Sequence, residues 1–75
     1  MRYIGLALKV RRTMKRMTMQ DLSNRCGLSV SYISLIERGQ REPSMKVYLL
    51  LCTWLDSVPS EMMALAEQLE EEEHS

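Results

Sequence analysis

Apolar residues along this chain recur at intervals of three and four, the spacing that places them on one face of an α-helix. Ile4, Ala7 and Leu8 set this pattern, which predicts a first helix from Ile4 to about Met14. No stretch between turn residues alternates apolar and polar positions over the length of a strand. The pattern therefore predicts an all-α fold.

Capping residues and glycines mark out two short helices after the first. Thr18 and the acidic residue three positions later have the spacing of a capping box, which predicts a second helix over Met19–Cys26. Gly27 can end that helix in the left-handed conformation. Ser29 can cap a third helix over residues 30–38, and a glycine again follows its end.

Prolines and a further serine delimit the last two helices. Pro43 cannot lie inside a helix, so residues 40–43 form a loop and Ser44 caps a fourth helix over residues 45–55. Pro59 suits the first turn of a fifth helix, which runs to about Glu72. Five helices joined by short turns predict a compact all-α domain.

The second and third helices form the most informative pair. Two short helices joined by a turn that contains Gly27 make a helix-turn-helix, whose second helix can enter the major groove of DNA. Helical hairpins without such a role are far commoner, so the pair alone leaves both interpretations open.

Charge separates the chain into two halves. The chain has 75 residues and a net charge of zero, yet all ten basic residues precede residue 47. Residues 1–46 contain three acids and carry +7, and the seven acids of residues 47–75 give −7. A basic half suits a polyanionic partner, because each Lys or Arg that neutralises a phosphate releases condensed counterions. Many domains are lopsided by chance, so the asymmetry is weak support for nucleic-acid binding.

Composition narrows the class of protein. A hydrophobic content of 45% is globular, and no apolar run approaches the ~20 residues of a membrane span. The first residues lack the features of a signal peptide, so we expect a soluble protein of the cytoplasm. Cys26 and Cys52 are interpreted as core thiols, with a disulfide or a metal site as the less favoured alternatives.

The sequence lacks the residue patterns that are typical of catalytic sites. His74 is the single histidine, and there is no Gly-rich phosphate loop, no metal-ligand spacing and no pair of carboxylates in a plausible cleft. We expect no enzymatic activity, no cofactor and no metal.

The segment TMQDLSNRCGLSVSYISLIERGQREPS, residues 18–44, resembles the lambda-repressor-like, Cro/XRE-type helix-turn-helix family. Its strongest pieces are residues 31–39 and the following Pro43-Ser44, and the similarity extends from Ile4 through Asp56. The resemblance implies a five-helix DNA-binding fold. It also implies a sequence-specific transcriptional regulator like phage repressors and the controller proteins of restriction-modification systems. Such a regulator would be prokaryotic or phage-encoded and associated with the nucleoid.

The resemblance assigns roles to individual residues of the third helix. Bases would be read by Val30, Ser31, Ser34 and Leu35. From the residues alone, core packing remains open for Leu35 and a solvated face for the two serines.

Phosphate contacts would come from both short helices and the residues around them. The resemblance implies such contacts for Thr18, Gln20, Tyr32, Arg38 and Arg41. Further basic candidates near the first turn, each of which could instead be solvated, are Arg11, Lys15 and Arg16.

The resemblance also implies an internal salt bridge and exposes three departures from the family pattern. Arg12 and Glu37 match a pair that ties the first helix to the reading helix. Met19 stands where a glutamine usually contacts a phosphate and braces the reading helix, so either the next residue substitutes or that contact is lost. Arg16 and Asp56 stand where glycines are usual; either each adopts φ > 0, which Asp tolerates better, or the turn differs.

The fourth helix carries more apolar residues than one core face requires, and the fifth adds an apolar stripe. An exposed stripe that contains Leu50 and Trp54 more often marks a protein interface than a tolerated surface. We therefore expect a homodimer on a pseudo-palindromic DNA operator, unless the fifth helix folds back over that stripe. The expected interface residues are Val47, Leu50, Leu51, Trp54, Met62, Leu65, Ala66 and Leu69.

Residues 1–69 are expected to form the DNA-binding domain with its dimerisation helices, and residues 70–75 an acidic tail. Four glutamates, Glu70 to Glu73, would lie at a helix C-terminus, where the macrodipole disfavours negative charge, so this end should fray. The alternative function is a protein-binding antitoxin or anti-regulator, whose partner would bind the apolar stripe and the acidic tail.

Overall fold

The computed structural model describes residues 2–74, and these residues form five helices without a strand. Met1 and Ser75, the outer ends of the predicted domain and tail, lie outside the described residues. The all-α prediction is confirmed. The helices are α1 (Arg2–Met14), α2 (Met19–Cys26), α3 (Val30–Glu37), α4 (Met45–Trp54) and α5 (Pro59–His74).

The helices begin where the capping residues predict. Asp21 donates its backbone N–H to Thr18 Oγ1 at 3.0 Å, and Thr18 returns its own N–H to Asp21 Oδ2 at 2.9 Å, which completes the capping box of α2. Ser29 and Ser44 each accept the backbone N–H three residues later, at 3.1 and 3.2 Å. Gly27 ends α2 with φ 81°. These local contacts explain the agreement of the helix starts with the sequence.

One apolar core joins all five helices. The start of α1 meets the end of α5, where the Tyr3 and His74 rings lie edge to face with centroids 6.4 Å apart. At its other end α5 joins α4, because the Tyr48 hydroxyl donates to the Pro59 carbonyl at 2.6 Å. The buried core residues are Tyr3, Ile4, Ala7, Leu8, Met17, Leu22, Ile33, Ile36, Tyr48, Leu51, Cys52, Leu55, Met62 and Ala66.

Three residues expected at a dimer interface belong to this core. Leu51 is 1% exposed, and Met62 and Ala66 are 0% exposed, within a single chain. Leu51 shares the inward face of α4 with Tyr48 and Leu55, because spacings of three and four place them on one side. The interface prediction is wrong for these three residues.

The acidic end continues α5 instead of leaving it. The helix runs through the four glutamates to His74, two residues beyond its predicted end at about Glu72, so the described residues of the predicted tail are helical. Two side-chain contacts accompany it: the His74 ring meets Tyr3, and Gln68 donates to Glu72 at 3.3 Å.

Two non-glycine residues adopt the left-handed conformation after a helix. Arg16 has φ 57° after α1, and Asp56 has φ 51° after α4. In both turns the next residue donates its N–H to the carbonyl five positions back, at 3.1 and 3.0 Å. This is the closing bond of a Schellman motif, which normally uses glycine. Both residues therefore keep the family's turn without the family's glycine.

Both cysteines are free thiols in this structure, Cys52 buried and Cys26 half-buried against the core. Burial raises the pKa of the Cys52 thiol. Within residues 2–74, no helix combines the length and apolar character that crossing a membrane requires.

Candidate nucleic-acid interface

The third helix has one face in the core and one outside it. Ile33 and Ile36 are each 1% exposed and anchor the inner face. Ser31 is exposed on the opposite face, where helical geometry also places Leu35. Among the described residues, Leu35 and Val30 are half-buried but stand outside both the core cluster and the hydrophobics packed against it. Core packing, the alternative for Leu35, is therefore not what the structure shows.

A buried ion pair holds α3 against the first helix. Arg12 donates from Nε to Glu37 Oε2 at 2.8 Å and from Nη2 to Glu37 Oε1 at 2.9 Å, a bidentate arrangement. A third bond runs from Arg12 Nη1 to the Met17 carbonyl at 2.7 Å. The bond to Glu37 raises the pKa of Arg12. This predicted pair thus joins α1, the following turn and the end of α3, and both partners are 7% exposed.

A glycine permits the close crossing of α1 and α3. A Cβ on Gly5 would lie 1.9 Å from the carbonyl oxygen of Ile36, which is far inside van der Waals contact. The sequence pattern alone predicts no role for Gly5. A glycine within an otherwise regular helical pattern is the signal that could have found it.

The turn between α2 and α3 has its own bracing contacts. Ser23 Oγ donates to the Leu28 carbonyl at 2.5 Å, and the Gly27 N–H donates to the Ser23 carbonyl at 2.9 Å. Leu28 packs against the core. These contacts hold the two helices at one angle, and sequence reasoning gave no role to Ser23 or Leu28.

The loop after α3 is attached to that helix. The backbone N–H groups of Gln40 and Arg41 both donate to the Leu35 carbonyl, at 2.9 and 3.2 Å. The Arg41 guanidinium lies over the Tyr32 ring, 5.4 Å from its centroid, within the range of a cation–π contact. Two predicted phosphate contacts, Tyr32 and Arg41, are thus brought together beside the outer face of α3.

The side chains of other predicted phosphate contacts already make hydrogen bonds within the protein. Arg38 is exposed at the end of α3, with Nε donating to the Ser34 carbonyl at 3.3 Å. The Gln20 amide donates to Asn24 at 2.9 Å, so its hydrogen bond runs along α2 and does not brace α3. Met19 packs instead against the core.

The basic residues near the end of α1 mostly face a different partner. Lys15 pairs with the Asp56 carboxylate at 2.5 Å, and Arg11 donates to the Asp56 carbonyl at 3.4 Å. The Lys15 ammonium lowers the pKa of Asp56. A phosphate that binds Lys15 would have to displace the Asp56 carboxylate. Arg16 is also exposed and is the third basic candidate near this turn.

A second outward surface lies on α4 and the turn after it. Leu50 is half-buried outside the core, and Trp54 is 39% exposed. Val58 adds an apolar side chain that is 55% exposed and was not among the predicted interface residues. The remaining predicted interface residues, Val47, Leu65 and Leu69, are partly buried against the core.

The residues that the structure describes contain no cluster of three or more His, Cys, Asp or Glu side chains able to hold a metal ion.

This geometry is that of a helix-turn-helix protein, and comparison with known proteins agrees. A family model described as helix-turn-helix matches residues 8–62. The chain therefore belongs to the Cro/XRE-type helix-turn-helix family, as the resemblance implied.

The chain is similar in sequence to a curated regulator. The transcriptional regulator ClgR of Mycobacterium tuberculosis is 35% identical over 52 residues, covering 69% of this chain and 46% of the relative. This chain thus spans about half the length of that relative.

Two crystal structures have similar folds. The clp gene regulator ClgR from C. glutamicum matches with a TM-score of 0.86 and 27% identity over 89% of this chain and 87% of its own. The restriction-modification controller protein C.AhdI from Aeromonas hydrophila matches with a TM-score of 0.76 and 38% identity, covering 81% of this chain and 92% of its own.

Proposed function

We propose that this chain is a sequence-specific DNA-binding transcriptional regulator. The observation that carries the proposal is the outer face of α3: the helix is tied by the Arg12–Glu37 pair, and Ser31 and Leu35 project from the side opposite its core residues. A helix that is held firmly and has one face outside the core has the geometry that base reading requires. The similarity to a transcriptional regulator and to a controller protein supports the same function.

Docking would divide the work between bases and phosphates. With α3 in the major groove, Arg38 and Arg41 flank it and can bind phosphates, and Tyr32 holds the Arg41 guanidinium in place. The backbone N–H groups at the start of α2 offer a further phosphate contact. The +7 charge of residues 1–46 attracts the phosphate backbone of DNA before any base is read.

The regulator is proposed to act as a homodimer through the surface formed by Leu50, Trp54 and Val58. These apolar side chains remain partly or largely exposed in the single chain, and a second copy would remove them from water. A two-fold axis would set two α3 helices about one DNA turn, ~34 Å, apart. The operator would then be pseudo-palindromic.

Selection of the purified protein against a random duplex pool tests this function. We expect enrichment of a two-fold symmetric motif, and binding that weakens with salt by about −0.9 in log–log slope for each neutralised phosphate. Arg41→Gln should reduce that slope, whereas Lys9→Gln, at an exposed position of α1, should leave it nearly unchanged. Absence of any enriched sequence would contradict the proposal.

The oligomeric state is measured separately by sedimentation. Leu50→Glu combined with Trp54→Ala should yield a folded monomer with much weaker operator binding. A chain that is monomeric at every concentration and enriches no duplex would favour the second candidate, a protein-binding antitoxin or anti-regulator. The exposed Trp54 supports that candidate. An aromatic side chain that a partner buries on binding often supplies much of the binding energy of a protein interface.

A further inference from the structure

The outer face of α3 lacks the side chains most often used to read guanine and adenine. Residues 30–37 contain no Arg, Lys, Asn or Gln, so the helix body offers no bidentate partner for a purine. Arg38 follows at the end of the helix, where its Nε bonds back to the Ser34 carbonyl. Base discrimination by α3 must therefore come from hydroxyl groups and apolar contact.

Leu35 is the apolar residue best placed for such contact. It lies one helical turn after Ser31 on the outer face and stands outside the core cluster. Its carbonyl accepts the N–H groups of Gln40 and Arg41, so the loop fixes its backbone position. A leucine held on the outer face without a core partner has surface left to bury against a ligand.

Resting on the proposed function, we infer that the protein recognises its operator through the C5-methyl groups of thymine, with Leu35 as the side chain that contacts them. In the major groove of unmodified DNA only thymine presents a methyl group, so apolar contact there distinguishes an A·T pair from the other pairs. Val30, also outside the core at the start of α3, can extend this apolar contact, and Ser31 can hydrogen-bond an adjacent base edge.

The inference makes a chemical demand on each half-site. A thymine must face Leu35, and its methyl group must contribute to affinity independently of Watson–Crick pairing. Replacing that thymine by deoxyuridine removes the methyl group and leaves the base pair and the phosphates in place. We expect affinity to fall about three- to tenfold at the position that faces Leu35, the scale set by burying one methyl group.

The experiment measures binding of the duplex enriched from the random pool, with each thymine replaced in turn by deoxyuridine. The wild-type protein should show the loss at one or two symmetry-related positions and little effect elsewhere. Leu35→Ala should bind the unmodified duplex more weakly and lose its response to deoxyuridine at those positions. Leu35→Met, which keeps an apolar side chain of similar reach, should keep the response.

This double-mutant cycle separates a direct contact from an effect of the methyl group on DNA shape, because a shape effect would persist in Leu35→Ala. Persistence of the full deoxyuridine response in a folded Leu35→Ala protein would overturn the assignment of Leu35. Sequence-specific binding by the wild type with no deoxyuridine effect at any position would overturn thymine-methyl recognition and leave the proposed function standing. Failure to enrich any duplex would overturn both. The wild-type measurement does not depend on any variant folding.

Discussion

The helices α3 and α4 are built alike at their starts and differ in what holds them. Each begins with a serine that caps the helix, and each buries one face in the same core. α3 is further held by the bidentate Arg12–Glu37 pair, whereas α4 is joined to α5 by a neutral hydrogen bond from the Tyr48 hydroxyl.

The outward faces of these helices differ in the same sense. α3 presents serines and Leu35 beside basic residues, and α4 presents Leu50 and Trp54. Directional ionic bonds permit little displacement, which suits a helix that must align side chains with bases. Apolar contact is less directional, which suits a surface that another protein copy would cover. The contacts that restrain each helix therefore match the precision of its proposed task.

Breaking the ion pair should have the largest effect. Arg12→Met leaves Glu37 buried without its partner, and we expect a loss of about 3–5 kcal/mol in the free energy of unfolding. The double variant Arg12→Met with Glu37→Leu should recover much of that loss, because no charge remains buried alone. Urea denaturation measures both. Equal destabilisation by the single and double variants would show that the pair's charge is not what matters.

Gly5→Ala tests the crossing of α1 under α3. In an ordinary helix this change stabilises by roughly 1 kcal/mol, but here the added methyl meets the Ile36 carbonyl. Such overpacking costs about 1–3 kcal/mol, so we expect the sign to reverse. Operator affinity should also fall, because α3 must move away from α1. A stabilised variant with unchanged affinity would contradict this.

The bond that joins α4 to α5 should matter less than the ion pair. Tyr48→Phe removes the hydroxyl that donates to Pro59 and should cost about 0.5–1.5 kcal/mol, with operator affinity unchanged. The measurement is thermal unfolding together with binding. A loss as large as that of Arg12→Met would remove the distinction drawn between α3 and α4.

Alkaline pH probes the same tyrosine. Burial raises the pKa of Tyr48 from 10.0 to about 12. The pKa of Tyr48 is higher in the folded protein than in the unfolded chain, so the stability that the protonated hydroxyl contributes is complete below pH 10. That stability is lost as the pH rises toward 12. Unfolding measured across that range should show an alkaline decline that is smaller in Tyr48→Phe. An identical decline in both proteins would assign the effect to other groups.

The turns that follow α1 and α4 offer the smallest test. Arg16→Gly should stabilise by about 0.5–1 kcal/mol, because glycine avoids the side-chain cost of the left-handed conformation. Asp56→Gly should gain less, since it also removes the pair with Lys15. Denaturation midpoints compare the two variants, and a larger gain for Asp56→Gly would contradict the ranking.

Features that depend on neighbours in sequence were predicted best. The bounds of α2 follow from Thr18 at one end and Gly27 at the other, since both caps act within a single turn. For Arg16 and Asp56, the family pattern left two alternatives, a left-handed conformation or a different turn, and the structure has the left-handed conformation at both. The division of apolar residues between core and surface was predicted less well: Leu51 and Met62 were assigned to an interface, and Val58 was missed.

By itself, the sequence determined the five helices, their caps, the family and the ion-pair partners, because capping and helical periodicity act over a few residues and the family motif lies in one segment. Only the tertiary structure decided which apolar stripe is inside, that Gly5 admits α3, and that Lys15 is held by Asp56. These outcomes depend on distances between residues far apart in the chain. Such distances are set when helices pack together.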